Sequence, residues 1–162
     1  MRPPIQQYPS PNFRKSTNNR KVTCVVLHAT QTAKLGSALE WLTIQESKVS
    51  SHYLIDLDGT ILQLVDENNI AWTCGESSWK GQKGVNAFSI SIEIVNANDG
   101  VMPYPEAQLE ALRALVGAIC RERNLGSEDI TTHAAISPGR KTDPLGFPMD
   151  DFLARLYKDG IS

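Results

Sequence analysis

The sequence predicts an α/β fold: a single domain with a central mixed β-sheet flanked by helices. Three observations carry that prediction. Residues 22–28 (VTCVVLH) form a short apolar, β-branched run of the kind that becomes a buried strand. Residues 88–95 (FSISIEIV) alternate strictly between apolar and polar. A long amphipathic segment opens at Pro105 and Glu106. Strand, helix, hairpin, strand, helix in that order indicates a sheet with helices packed upon it.

Each element follows from local chemistry. Residues 1–20 hold Pro3, Pro4, Pro9 and Pro11 among polar residues, so they read as an extended arm. Ile5, Tyr8 and Phe13 are its means of packing across the domain, which occupies residues 21–162. Gly36 and Ser37 offer a cap for a helix through Ala38, Leu39, Trp41 and Leu42. Residues 52–56 and 60–65 are strand-like, and Asp58-Gly59 between them is a hairpin signal, because glycine tolerates positive φ. In the alternating strand, Phe88, Ile90, Ile92 and Ile94 point one way, and Ser89, Ser91 and Glu93 the other. Leu109, Leu112, Leu115, Val116 and Ile119 give the next helix its apolar stripe, with Pro105 at its first position and Gly126 at its end. A loop from Thr131 to Phe147 leads to a short last helix over residues 150–157.

Composition narrows the function classes. Sixteen Lys and Arg against eighteen Asp and Glu give a net charge of −2, without the basic footprint of a nucleic-acid binder or a polybasic membrane patch. No run approaches the roughly 20 apolar residues of a membrane span. The N-terminal segment has charge but no apolar core, so no secretory signal is expected and a cytoplasmic location is. Cys24, Cys74 and Cys120 are odd in number and widely spaced, which suits buried, reduced thiols. A monomer is the default expectation.

The chemistry-bearing residues are few. His28 ends the first strand at a sheet rim, His133 follows the strand-like DITTH, and Asp143 precedes Pro144. Two imidazoles and a carboxylate suffice for a zinc site with one open position, yet their spacing matches no local motif, and structural histidines would look the same. His52 lies at a strand start and is expected to hydrogen-bond locally. Glu93 lies on the polar side of an apolar strand; it is a solvated surface carboxylate, or a general base if that side is covered. Lys141 is a surface cation beside Arg140, or a cation aimed at developing negative charge.

The blocks VVLHAT, SSHYLIDLDGTILQLVDENNIAWTCGESSW, VNAFSISIEIVNA, YPEAQ and THAAISPGRKTDP, in this order, resemble zinc-dependent N-acetylmuramoyl-L-alanine amidases. That family also contains peptidoglycan recognition proteins and phage lysozyme-type amidases. The resemblance runs from about residue 22 to 152. It implies a peptidoglycan-recognition-protein-like fold and zinc on His28, His133 and Asp143. It also implies a catalytic Glu93 that exchanges protons with water and leaving amine, and Lys141 opposite the oxyanion. Tyr53 falls near a functional tyrosine of some relatives, and Trp72, Trp79 and Asn86 are candidates for lining the substrate groove. The implied partner is peptidoglycan or a soluble muropeptide, in cell-wall lysis or remodelling, with anhydromuropeptide recycling or non-catalytic peptidoglycan binding as alternatives. Two departures stand out. AWTCG replaces the family's AWHAG at Thr73 and Cys74, and Ala135 stands where relatives carry an aspartate.

Overall fold

The computed structural model describes residues 1–17, 20–158 and 160. Asn18 and Asn19 of the arm, and Asp159, Ile161 and Ser162 at the end of the predicted domain, lie outside the described residues. The strands are β1 (Gln6–Gln7), β2 (Phe13–Arg14), β3 (Cys24–Ala29), β4 (Tyr53–Ile55), β5 (Ile61–Gln63), β6 (Ile70–Ala71), β7 (Ser78–Trp79), β8 (Gln82–Lys83), β9 (Ser89–Ile94) and β10 (Ile130–Thr132). The helices are α1 (Leu35–Thr43), α2 (Glu106–Arg123), α3 (His133–Ile136) and α4 (Met149–Lys158).

A mixed six-stranded sheet in the order β1-β5-β4-β9-β3-β10 forms the centre, as the sequence predicts. β3, β4, β9 and β10 run parallel, and β5 returns antiparallel to β4. The Asp58-Gly59 turn makes that return. Gly59 has φ 87°, and a Cβ there would stand 2.7 Å from the Ala107 carbonyl oxygen of α2. The turn therefore requires glycine twice, for its backbone and for the close approach of the helix.

Alternation along the strands divides the molecule. Val25, Leu27, Tyr53, Ile55, Ile90, Ile92 and Ile94 face Leu112, Leu115 and Ile119 of α2 and Phe152 and Leu156 of α4. On the other face, Ala38 and Leu42 of α1 pack over Leu54, Leu62, Leu64 and Val95. Beside them, Cys74, Val85, Phe88 and Ile136 cover Cys24 and Val26. The polar side of β9 is thus covered by protein, and Ser89, Ser91 and Glu93 are all buried. Glu93 lines a cleft that α1 also borders.

Some boundaries differ from expectation. α2 ends at Arg123, three residues before Gly126, because Asn124 takes up the left-handed conformation (φ 54°) that closes the helix. Pro105 stands one position outside the helix, its carbonyl accepting from the Leu109 N–H at 3.0 Å. All three cysteines are buried and free. His52 is structural as expected: its Nδ1 accepts from the Ser91 N–H at 3.0 Å and its Nε2 meets the Asn69 carbonyl at 3.1 Å.

The N-terminal arm is woven into the sheet. β1 extends it in parallel beside β5, and β2 pairs with β6. Ile5 packs on the core, whereas Tyr8, expected to do so, stays exposed. Arg2 fastens the arm, its Nη1 lying 2.7 Å from both the Tyr53 hydroxyl and Glu67 Oε1. Arg123 Nη2 meets Glu67 Oε2 at 2.8 Å. Burial opposes ionisation of Glu67, but hydrogen bonds from Arg2, Arg123 and Tyr53 outweigh it and hold its pKa at about 2, below the ordinary 4.5. Its stabilisation is therefore full above pH 4.5 and is lost as the pH falls toward 2. Replacing Glu67 by Ala is expected to cost about 3 kcal/mol at neutral pH, measured by urea unfolding, and to flatten the acid limb of the stability curve. An unchanged acid limb would remove Glu67 as its source.

Candidate metal centre and cleft

The carboxyl ends of the parallel strands β3, β9 and β10 meet at one rim, where an open α/β sheet leaves a crevice. His28 and Glu93 are register partners on adjacent strands, so both project to the same face. His133 is the first residue of α3, directly after β10. Thr132 caps that helix by accepting from the Ala135 N–H at 3.2 Å. Ala135 itself is exposed. Asp143 arrives on the following loop, and its carbonyl accepts from the Ala134 N–H at 2.9 Å, tying loop to helix.

His28, His133 and Asp143 are buried, and the ligand atoms they offer lie within 4.8 Å of one another. His133 Nδ1 stands 3.1 Å and His28 Nδ1 3.6 Å from Asp143 Oδ2, and the two imidazoles meet edge to face with centroids 4.4 Å apart. Burial pushes His28 down to about 4, so it is neutral at physiological pH, the form that ligates metals. Burial also opposes ionisation of Asp143, yet the nearness of the His133 and His28 imidazoles outweighs it and holds the carboxyl well below the usual carboxylate range. Burial, then the Asp143 charge, drive Glu93 up to about 8, with Lys141 pulling the other way.

The residues fit a metal. His28 Nδ1 and Asp143 Oδ1 are buried without a hydrogen-bond partner. Unmatched buried acceptors are costly, and a cation among them removes that cost. Two imidazole nitrogens and a carboxylate suit tetrahedral zinc with one position left open. The second nitrogen of His133 is held as well: Nε2 lies 3.0 Å from the Cys74 carbonyl, which Arg140 also engages at 2.6 Å. Asn86 Oδ1 in turn accepts from the N–H groups of Thr73 (3.2 Å) and Cys74 (2.8 Å), fixing the loop that presents that carbonyl. Such supports set the tautomer and direction of a ligating histidine.

Beside the cluster opens a cleft of about 580 Å³, with Glu93, His133, Lys141 and Asp143 on one side and α1 on the other. The N-acetylmuramoyl-L-alanine amidase family matches residues 18–146, most of the chain. The chain belongs to that amidase family. It is 31% identical to the 1,6-anhydro-N-acetylmuramyl-L-alanine amidase AmpD of Haemophilus influenzae, over 86% of this chain and 84% of the relative. It spans about half the length of other curated relatives that it matches. Among solved structures, AmiD of E. coli, in complex with anhydro-N-acetylmuramic acid-L-Ala-D-gamma-Glu-L-Lys, is similar with a TM-score of 0.76 and 32% identity over 92% of this chain and 62% of that one. The endolysin LysCS of Clostridium intestinale shares the fold, with a TM-score of 0.77 at 21% identity over 97% of each chain.

Within this amidase the predicted residues fall into two groups. His28, His133, Asp143, Glu93 and Lys141 come together. The expected groove residues do not. Tyr53 is 1% exposed and faces α2 on the opposite side of the sheet, because the strand's alternation turns it away from Glu93. Its hydroxyl is taken by Glu67 and Arg2. Asn86 is engaged with the backbone of residues 73–74. Trp79 packs against the cluster of Cys24, Val26 and Phe88, away from the cleft. Trp72 is 36% exposed but outside the cleft, whose wall is made by its neighbour Thr73. Cys74 is buried with Sγ 3.9 Å from His28 Nε2, behind the ring and away from Nδ1. Sequence reasoning missed the α1 wall. Its signal was Trp41, an aromatic beside the buried Leu42 yet outside the Ala38–Leu42 spacing that marks the packed stripe.

Proposed function

We propose that this amidase hydrolyses the amide between the lactyl carbonyl of N-acetylmuramic acid and the amino group of L-alanine, with zinc held by His28, His133 and Asp143. The supporting observation is the buried ligand cluster with Glu93 and Lys141 opening into the same cleft. A bound zinc would act as a Lewis acid toward carbonyl and water, and its charge would ease the ionisation of Glu93. In this reading Glu93 Oε2, buried and without a partner, accepts a proton from the attacking water. It then returns a proton to the L-alanine nitrogen as the C–N bond breaks, leaving a lactyl carboxylate and a free amine. The Lys141 ammonium opposes the charge that gathers on the carbonyl oxygen. Replacing Lys141 by Met is expected to lower kcat roughly 100-fold with little change in KM, read by steady-state kinetics on a muropeptide. An unchanged kcat would remove Lys141 from the chemistry.

The named relatives and the AmiD complex support a 1,6-anhydromuropeptide as substrate. The endolysin likeness carries the fold alone, so wall lysis is the competing outcome of one comparison. Turnover of a purified anhydromuropeptide is set against solubilisation of intact peptidoglycan, at equal enzyme and zinc. Preference for the soluble substrate is expected, and faster attack on intact wall would assign a lytic role.

Among the described residues, no helix is long and apolar enough to cross a membrane.

A further inference from the structure

The cleft wall opposite the metal cluster has a chemistry of its own. Trp41 lines it and is 55% exposed, although Ala38 and Leu42 of the same helix are buried in the core. An indole left half in water forgoes much of its burial energy unless a ligand covers it. The short hydroxyl residues Thr30, Thr32, Ser37 and Thr73 line the same cleft. Among the residues lining the cleft, Lys141 is the sole lysine or arginine, and it lies with the cluster at the other side.

These features discriminate between the halves of a muropeptide. The stem peptide carries carboxylates, which call for cations. A pyranose ring is neutral, with C–H groups on its faces and hydroxyls around its edge, and it matches an aromatic plate in a cleft that also carries small hydroxyl side chains. We propose that Trp41 is the stacking platform for the muramic acid ring and a specificity-determining residue for the sugar half of the substrate. This rests on the amidase reading.

The test compares Trp41→Ala and Trp41→Phe with wild type. Trp41 is exposed on a helix, where alanine is the best helix former, so the variants retain the fold. Two substrates are used, 1,6-anhydro-N-acetylmuramyl-L-Ala-D-Glu and D-lactoyl-L-Ala-D-Glu, the second having the same scissile bond but no sugar ring. Trp41→Ala is expected to raise KM for the muramyl substrate about tenfold, the worth of one aromatic contact, with kcat nearly unchanged. Trp41→Phe should restore most of that loss, and neither variant should alter cleavage of the lactoyl peptide. In parallel, N-acetylmuramic acid is titrated into the protein while the three tryptophan indole N–H resonances are followed. The resonance missing from Trp41→Ala should be the one that moves. Equal losses on both substrates, or no loss on either, would overturn the proposal, as would an unmoved Trp41 resonance. A wild-type protein that cleaves neither substrate would overturn the amidase reading instead, and the titration alone would then decide for or against Trp41.

Discussion

Replacing Glu93 by Gln is expected to lower kcat by about 100- to 10,000-fold while zinc stays bound. The side chain keeps its size and its place on β9, so packing is preserved. What disappears is a buried carboxylate oxygen without a hydrogen-bond partner, Oε2, on a side chain that lines the cleft. Glu93 is raised to about 8 first by burial and then by the Asp143 charge, which suits a group that must both accept and return a proton. KM should change little, because a base that acts on water contributes mainly in the transition state. Metal analysis and kinetics on the same sample check the prediction. Full activity would remove Glu93 as the base, and loss of zinc would make it a ligand.

The second large effect is loss of the metal itself. Replacing His28 by Ala takes away one of three buried donors and leaves Asp143 facing His133 alone. Zinc content measured by mass spectrometry of the dialysed protein should fall from about one per chain to near none, and activity should fall with it. Cys74→Ala is the control. Its thiol lies on the Nε2 side of the His28 ring, whereas Nδ1 faces Asp143, so the variant should retain zinc. Zinc retained by His28→Ala, or lost from Cys74→Ala, would redraw the ligand set.

Much of the frame was legible where one strong local pattern governs. The alternation placed Glu93 opposite the isoleucines, and Asp58-Gly59 fixed the β4–β5 return. Phe88, expected on the isoleucine side, lies in the turn before the strand and packs with Cys24 and Val26 instead. The arm was less legible. Gln6–Gln7 joins the sheet through backbone pairing and a hydrogen bond from the Gln7 to the Gln63 side chain, which leaves no hydrophobic period to read. Tyr53 misled because its neighbours in sequence suit either face, and only the register with Ile92 settles which one it takes. The candidate metal ligands His28 and His133 are separated by more than a hundred residues and meet because β3 and β10 pair side by side. No spacing rule reports such a meeting; the resemblance of whole blocks did. Asn86 was expected at substrate and instead supports the loop behind His133, a role that depends on two backbone N–H groups.

The central claim is hydrolysis of one bond, and isotope labelling tests it most directly. The zinc-loaded protein is given an anhydromuropeptide in ¹⁸O-water, with a chelated sample alongside, and the products are weighed by mass spectrometry. One ¹⁸O in the lactyl carboxylate of the sugar fragment is predicted, with an unlabelled peptide beginning at L-alanine and no products after chelation. Label in any other fragment, an intact substrate, or turnover that survives chelation would contradict the account.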